Sequence, residues 1–247
     1  MKKSLVHVKD FNLTLGDKNI IHDLSFDVMP GEIFAFLGSN GSGKTSTIRA
    51  LLGIYQPTSG TLWVNGQPLT PKTAANVGYL PEERGLYVRS KVLDTMMYFG
   101  ELKGMTRDAA RQFSMDYLER VELADKANLK IKKLSGGQQQ KIQLGVAIMG
   151  NPELLILDEP TKGLDPVNRK LLLDIVGELK ERGAAVIYIT HLMEEVERLA
   201  DRLLILKDGT ARAYGTVAAV KKEFNSNSIE DIFVKIYKEK SSEVAHV

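Results

Sequence analysis

Ile33-Phe34-Ala35-Phe36-Leu37-Gly38-Ser39-Asn40-Gly41-Ser42-Gly43-Lys44-Thr45 passes directly from an unbroken apolar run into a glycine-rich turn that ends in Lys and Thr. A short apolar run of this kind is the pattern of a strand covered on both faces. Gly38–Thr45 satisfies G-x-x-x-x-G-K-[ST], with the strand before and the helix after that the pattern requires. Its glycines let backbone N–H groups turn inward around phosphate oxygens, and the helix N-terminus adds positive dipole character. Lys44 would reach the β- and γ-phosphates, and the Thr45 hydroxyl would ligate Mg²⁺. Gly38, Ser39, Asn40, Gly41, Ser42, Gly43, Lys44, Thr45 and Ser46 are therefore the candidate phosphate residues of a nucleotide site.

On either side of this stretch the texture changes. Phe11, Leu13 and Leu15 alternate with polar residues, as do Leu24, Phe26 and Val28, which predicts half-buried antiparallel strands. Apolar runs recur at Leu154–Leu157, Ala185–Ile189 and Leu203–Leu206, separated by helical patterns such as Leu171/Leu172/Ile175/Val176/Leu179. Buried strands alternating with amphipathic helices point to a parallel α/β core with an antiparallel addition. Asn65-Gly66 and Asp208-Gly209 are hairpin signals within the antiparallel parts. Val92–Leu102, Arg107–Val121 and Gly136–Met149 read as helices without intervening strands. The expected organisation is a nucleotide-binding core from residues 1–82 and 151–220, an inserted helical lobe at 83–150, and a charged helical tail at 221–247 with Ile229, Ile232, Phe233 and Ile236 on one face.

The chain has 247 residues, 43% hydrophobic and 26% charged, enough to bury a sizeable core. Lys and Arg number 33 against 31 Asp and Glu, so the net charge of +2 gives no basic stripe and no electrostatic case for nucleic acid. There is no cysteine, which excludes disulfides, thiolate metal sites and Cys nucleophiles. No stretch reaches roughly 18 apolar residues, so the chain is expected to meet a membrane only through a partner.

Leu154–Asp158 followed by Glu159 places two acids at the end of a buried strand. Asp158 can hold Mg²⁺ there, while Glu159 polarises an attacking water. The bland reading, two acids ending a strand in solvent, loses weight beside the phosphate loop. Leu134-Ser135-Gly136-Gly137-Gln138 places a capping serine and two glycines at the start of another helix, a second anion-binding pattern.

In this order and spacing the motifs closely resemble the ATP-binding cassette (ABC) ATPases over residues 4 to about 237. Gly38–Thr45 matches the family's Walker A, Leu154–Asp158 its Walker B and Glu159 its catalytic glutamate. Leu134–Gln138 matches the signature, Gly163-Leu164-Asp165 the D-loop, and His191 the switch histidine. The resemblance implies an α/β P-loop NTPase fold (RecA-like), with a mixed-sheet core, an N-terminal antiparallel β subdomain and an inserted α-helical subdomain. It also implies ATP and Mg²⁺ as ligands and a head-to-tail pair of cassettes. In that pair Ser135, Gly136, Gly137 and Gln138 contact the partner's ATP, so the chain pairs with itself or a sibling. The implied activity is ATP hydrolysis driving transport, export by subgroup, through a separate transmembrane permease at the cytoplasmic face of the membrane. A cytosolic ABC ATPase without transport, such as an iron–sulfur assembly subunit, is the alternative.

Two departures from the family pattern stand out. Leu15, before Gly16, holds the position of the aromatic that usually stacks on adenine. Leucine forgoes a stacking gain of about 0.5–1.5 kcal/mol, and Phe11 is the other candidate. Glu82, in Gly78–Tyr87, replaces the Q-loop glutamine as a Mg²⁺ ligand, and that segment resembles the bacterial cassettes of sodium, drug and antibiotic exporters. The Ser228–Phe233 tail is similar to theirs too. Tyr87, Val88 and Met97 fall off the helical stripe Val92/Met96/Phe99 and are expected at the surface, where a partner helix could dock.

Overall fold

The computed structural model describes residues 3–68, 70, 74–83 and 85–238; Arg84 and the tail beyond Lys238 lie outside the described residues. In chain order the elements are β1 (Val6–Leu15), β2 (Lys18–Val28), β3 (Ile33–Gly38), α1 (Lys44–Leu51), β4 (Ser59–Val64), β5 (Val77–Leu80), α2 (Val92–Leu102), α3 (Arg107–Arg120), α4 (Gly136–Ile148) and β6 (Leu154–Asp158). They continue with α5 (Pro166–Glu181), β7 (Ala185–Ile189), α6 (Met193–Leu199), β8 (Arg202–Lys207), β9 (Thr210–Thr216), α7 (Val217–Glu223) and α8 (Ile229–Lys238). The chain divides into two compact units. One is drawn from Met1–Leu5, Val28–Glu32 and Leu69–Ile189, the other from Val6–Asp27, Ile33–Pro68 and Thr190–Val247.

In the first unit β5, β6 and β7 are parallel, with Leu154 between Val77 and Ala185 and every residue of β6 and β7 buried. The three helices of 83–150 begin where the periodicity placed them and belong to this unit. They do so because α4 presses on β5: a Cβ on Gly78 would stand 2.3 Å from the Ala147 carbonyl. Tyr117 is buried against Gly145, where a Cβ would meet its ring at 2.4 Å, and its hydroxyl donates to Lys141 O at 2.6 Å. Close helix approach at glycine thus ties α3 to α4.

In the second unit β1 lies between β2 and β4 and is antiparallel to β4. Val6, Val8, Phe11 and Leu13 are buried, but the alternation stops short of Leu15, which is 36% exposed. Elsewhere β3 pairs in parallel with β8, and β8 turns through Asp208-Gly209, both at positive φ, into antiparallel β9. That is the turn geometry such a dipeptide favours. The amphipathic segment of the tail is α8. Ile229, Ile232 and Ile236 sink into a cluster with Ala35, Leu37, Leu203 and Ile205, each such side chain contributing about 1.5–3 kcal/mol by burial. No helix among the described residues is long and apolar enough to cross a membrane.

Candidate nucleotide site

Within the second unit all six residues of β3 are buried, and the chain leaves the strand at Gly38. A Cβ there would sit 2.4 Å from Ser42 Oγ and 2.7 Å from Leu206 O, so only glycine fits. Gly41 (φ +80°) and Gly43 (φ +108°) turn the loop through left-handed conformations that glycine adopts without strain. Lys44 folds back and donates from Nζ to Gly38 O at 2.7 Å and Ser39 O at 3.0 Å. Thr45 and Ser46 are half-buried in the first turn of α1.

α1 alone, among the described α-helices, has neither a side-chain cap nor an acid in its first turn. α3, α4, α5 and α7 are capped by Thr106, Ser135, Asp165 and Thr216, and α2, α6 and α8 carry acids at that end. The positive end of the α1 dipole therefore meets no capping side chain and no acid, an arrangement that suits an anion. Ser42 Oγ, buried inside the loop, also has no hydrogen-bond partner. Ser39 behaves differently: its N–H donates to Tyr237 Oη at 2.7 Å.

The first unit gathers the acids. Asp158 ends β6 and is 4% exposed. Glu159 then turns left-handed (φ +50°), a strained conformation for a side-chain-bearing residue, and its N–H donates to Ile189 O at 2.9 Å. Glu82 accepts from Lys162 Nζ at 2.7 Å. The acids on either side hold the Lys162 ammonium above its ordinary range, chiefly the hydrogen bond and charge of Glu82, with Glu159 and Asp158 adding to it.

Around them α4 works as a bracket. Ser135 Oγ accepts from Gln138 N–H at 3.3 Å, while Gln138 Oε1 accepts from Ser135 N–H at 2.9 Å, a reciprocal capping box. Gly136 and Gly137 are half-buried, and a Cβ on Gly137 would meet Leu164 Cδ2 at 3.3 Å. Further along the helix, Gln140 Nε2 donates to Pro160 O at 3.0 Å, and Gln143 Nε2 to Pro81 O at 3.2 Å and Glu83 O at 3.1 Å. Sequence reasoning passed over these two glutamines, which hold the loops after Glu159 and around Glu82. Their only signal was amides at or beside the start of the apolar half of the helix. Asp165 caps α5, accepting from Asn168 and Val167 N–H at 3.0 Å each, and the backbone and side-chain bonds of Asn168, with Val167 adding less, hold its carboxyl below the usual range.

Leu15 and His191 are exposed in the second unit, Leu15 at the end of β1 and His191 just beyond buried Thr190. Phe11, the other candidate for the base, is fully buried and cannot reach a nucleotide. Its register on β1 turns it into the core. Met97 is half-buried rather than exposed, whereas Tyr98 joins Tyr87 at the surface. Those two rings stand edge-on at 5.8 Å, and Tyr87 stacks on Phe99 at 5.9 Å.

The Thr45 hydroxyl in the second unit and the Asp158 and Glu82 carboxylates in the first are each oxygen donors, the kind that Mg²⁺ prefers. No cluster of three or more acids, His or Cys that could hold a metal occurs among the described residues.

A buried strand, a loop turned by left-handed glycines and a helix without a side-chain cap define a P-loop nucleotide-binding protein. The family model described as ABC transporter matches residues 21–162. An uncharacterized ABC transporter ATP-binding protein of Methanocaldococcus jannaschii is 46% identical over 216 residues, 87% of this chain and 79% of that protein. The Nod factor export ATP-binding protein I of Paraburkholderia xenovorans is 37% identical over 235 residues, 93% of this chain and 77% of that protein. A solved ATP-binding subunit of an ABC transporter superposes with a TM-score of 0.90 at 28% identity, covering 95% of this chain and all of that one (100%). The chain belongs to the ABC transporter family. It is an ATP-binding subunit that uses ATP with Mg²⁺ and hydrolyses it to drive transport, working with transmembrane permease components and a second cassette.

Proposed function

We propose that the chain powers an exporter from the cytoplasmic face of the membrane, held there by a separate permease. The Nod factor relative, named for export and matched along 93% of this chain, supports that direction. The cassette partner is a second copy or a sibling subunit. The glycine-turned loop running into α1, whose first turn has no side-chain cap and no acid, is the observation that carries the nucleotide assignment.

In this reading Gly38–Ser46 cradle the phosphates, and Lys44 exchanges its two carbonyl acceptors for phosphate oxygens. Thr45, Asp158 and Glu82 are the residues that would hold Mg²⁺, which neutralises charge developing on the phosphates. Glu159 orients and polarises water, and His191 senses the γ-phosphate. Ser135–Gln138 act on ATP held by the partner cassette, with Asp165 at the shared interface. Leu15 lies against the base. Residues 83–150 act as the lobe that carries the signature, and the Tyr87/Tyr98 groove, lined also by Ser90, Asp94 and Thr95, receives a cytoplasmic segment of the permease.

Glu159→Gln tests the assignment. The amide can hold a water but cannot polarise it, so ATP binding should persist while hydrolysis falls about 10²–10⁴-fold. The variant should also accumulate as an ATP-bound dimer on a sizing column. Parent-like turnover would sink the role given to Glu159.

A further inference from the structure

α8 lies far along the chain from the phosphate loop, yet its last turn touches it. Ser39 N–H donates to Tyr237 Oη at 2.7 Å, and Tyr237 donates its own hydroxyl proton to Leu206 O at 2.6 Å. Gly38 and Leu206 are the final register partners of the β3–β8 ladder. The tyrosine hydroxyl therefore bridges the first amide beyond the ladder to the carbonyl of the neighbouring strand, adding a rung made by a side chain.

The peptide unit involved is planar and rigid, with Gly38 O at one end and Ser39 N–H at the other. Tyr237 holds the N–H, and Lys44 Nζ holds the oxygen. Rotating this peptide would break both bonds. The Ser39 carbonyl then takes a second bond from Lys44 and another from Ser42 N–H at 3.1 Å, so the orientation passes into the loop. Tyr237 is itself well held. Phe233 stacks on its ring at 4.5 Å, Lys207 lies 5.8 Å over the ring and donates to Ile236 O at 2.9 Å, and Ile232 and Ile236 are buried.

We propose that Tyr237 is a positioning residue for ATP: through the Gly38–Ser39 peptide, α8 presets the phosphate loop and the Lys44 ammonium before nucleotide arrives. The inference rests on Gly38–Ser46 being the phosphate loop. Preorganisation of this kind acts on affinity, because the loop is ordered by the protein rather than at the expense of binding.

Tyr237→Phe in the full chain keeps the ring and its stacking and removes only the hydroxyl. Losing one hydrogen bond's worth of ordering should raise the ATP Kd and KM about three- to tenfold. Turnover at saturating ATP should stay within about twofold, since no reacting atom is touched. The Ser39 amide resonance should shift and its hydrogen exchange quicken. Phe233→Leu is the control: it loosens α8 but leaves the hydroxyl, so it should lower Tm while ATP affinity holds. An unchanged or tighter Kd in Tyr237→Phe overturns the proposal. So does a loss of affinity that follows Tm equally in both variants. Lys44→Ala in the same titration separates the underlying assignment. If it binds ATP like the parent, the phosphate-loop reading itself fails; if it loses ATP while Tyr237→Phe does not, only the role of Tyr237 falls.

Discussion

Lys162 Nζ donates to Glu82 Oε1 at 2.7 Å, joining the loop after β5 to the turn after β6 within one unit. The same lysine feels Glu159 and Asp158, so one cation serves three acids. Under the proposed roles Glu82 is wanted both by Lys162 and by Mg²⁺. Both side chains are largely exposed, which keeps their pairing weak and easily exchanged. Lys162→Met should therefore lower the Mg²⁺ concentration for half-maximal ATPase by a few-fold, and should have no such effect in a Glu82→Gln background. A Mg²⁺ dependence that moves equally in both backgrounds would show that the pair and the metal do not compete.

Ser135→Arg should leave ATP binding by the isolated chain nearly intact and abolish hydrolysis. The capping box uses Ser135 Oγ as acceptor and leaves its proton for a ligand beyond the helix. Mixed with Lys44→Ala chains, it forms a dimer in which one site pairs an intact loop with an intact signature. Partial recovery of ATPase is the expected result in a mixing titration. Absence of recovery would count against a sandwich made of two copies of this chain.

Leu15→Tyr should tighten ATP binding a few-fold and slightly improve discrimination against GTP, because an aromatic ring adds stacking to apolar contact. Leu15 is exposed enough to accept the larger side chain without repacking the core. Unchanged affinity in a direct titration would place the base away from the end of β1.

Tyr87 and Tyr98 are 55% and 46% exposed, an aromatic pair supported from below by Phe99. Replacing both with Glu should uncouple transport in vesicles containing the permease, while the purified subunit keeps its basal ATPase. Tyr87 lies a few residues beyond Glu82, so a docked segment would sense changes around that carboxylate. Persistent transport with both changed would move the docking surface elsewhere.

The parts legible in the sequence were those whose causes are local. Gly41 and Gly43 turn the loop because only glycine takes those φ values freely, and Ser135 and Asp165 cap helices through amides two or three residues away. Strands β3, β6, β7 and β8 announce themselves because burial on both faces demands continuous apolar residues. Alternation along β1 misled at its end, since periodicity gives a face but not where the covering layer stops: Phe11 is under it and Leu15 is beyond it. Helical spacing likewise could not choose between Met97 and Tyr98, because exposure there depends on what packs around α2.

Other features of the site join residues remote in sequence. Lys162 and Glu82, Gln143 and Pro81, and above all Tyr237 and Ser39, 198 positions apart, meet only because strands and helices place them together. The sequence alone was enough for the class of chemistry, because a phosphate cradle is built from one contiguous turn and its flanking strand and helix. Which side chains hold that turn, pair with its acids and cover its surface was decided by tertiary packing. Such partners carry no local signature, since a hydrogen bond needs only 3 Å proximity and a fitting angle, conditions that spacing along the chain does not record.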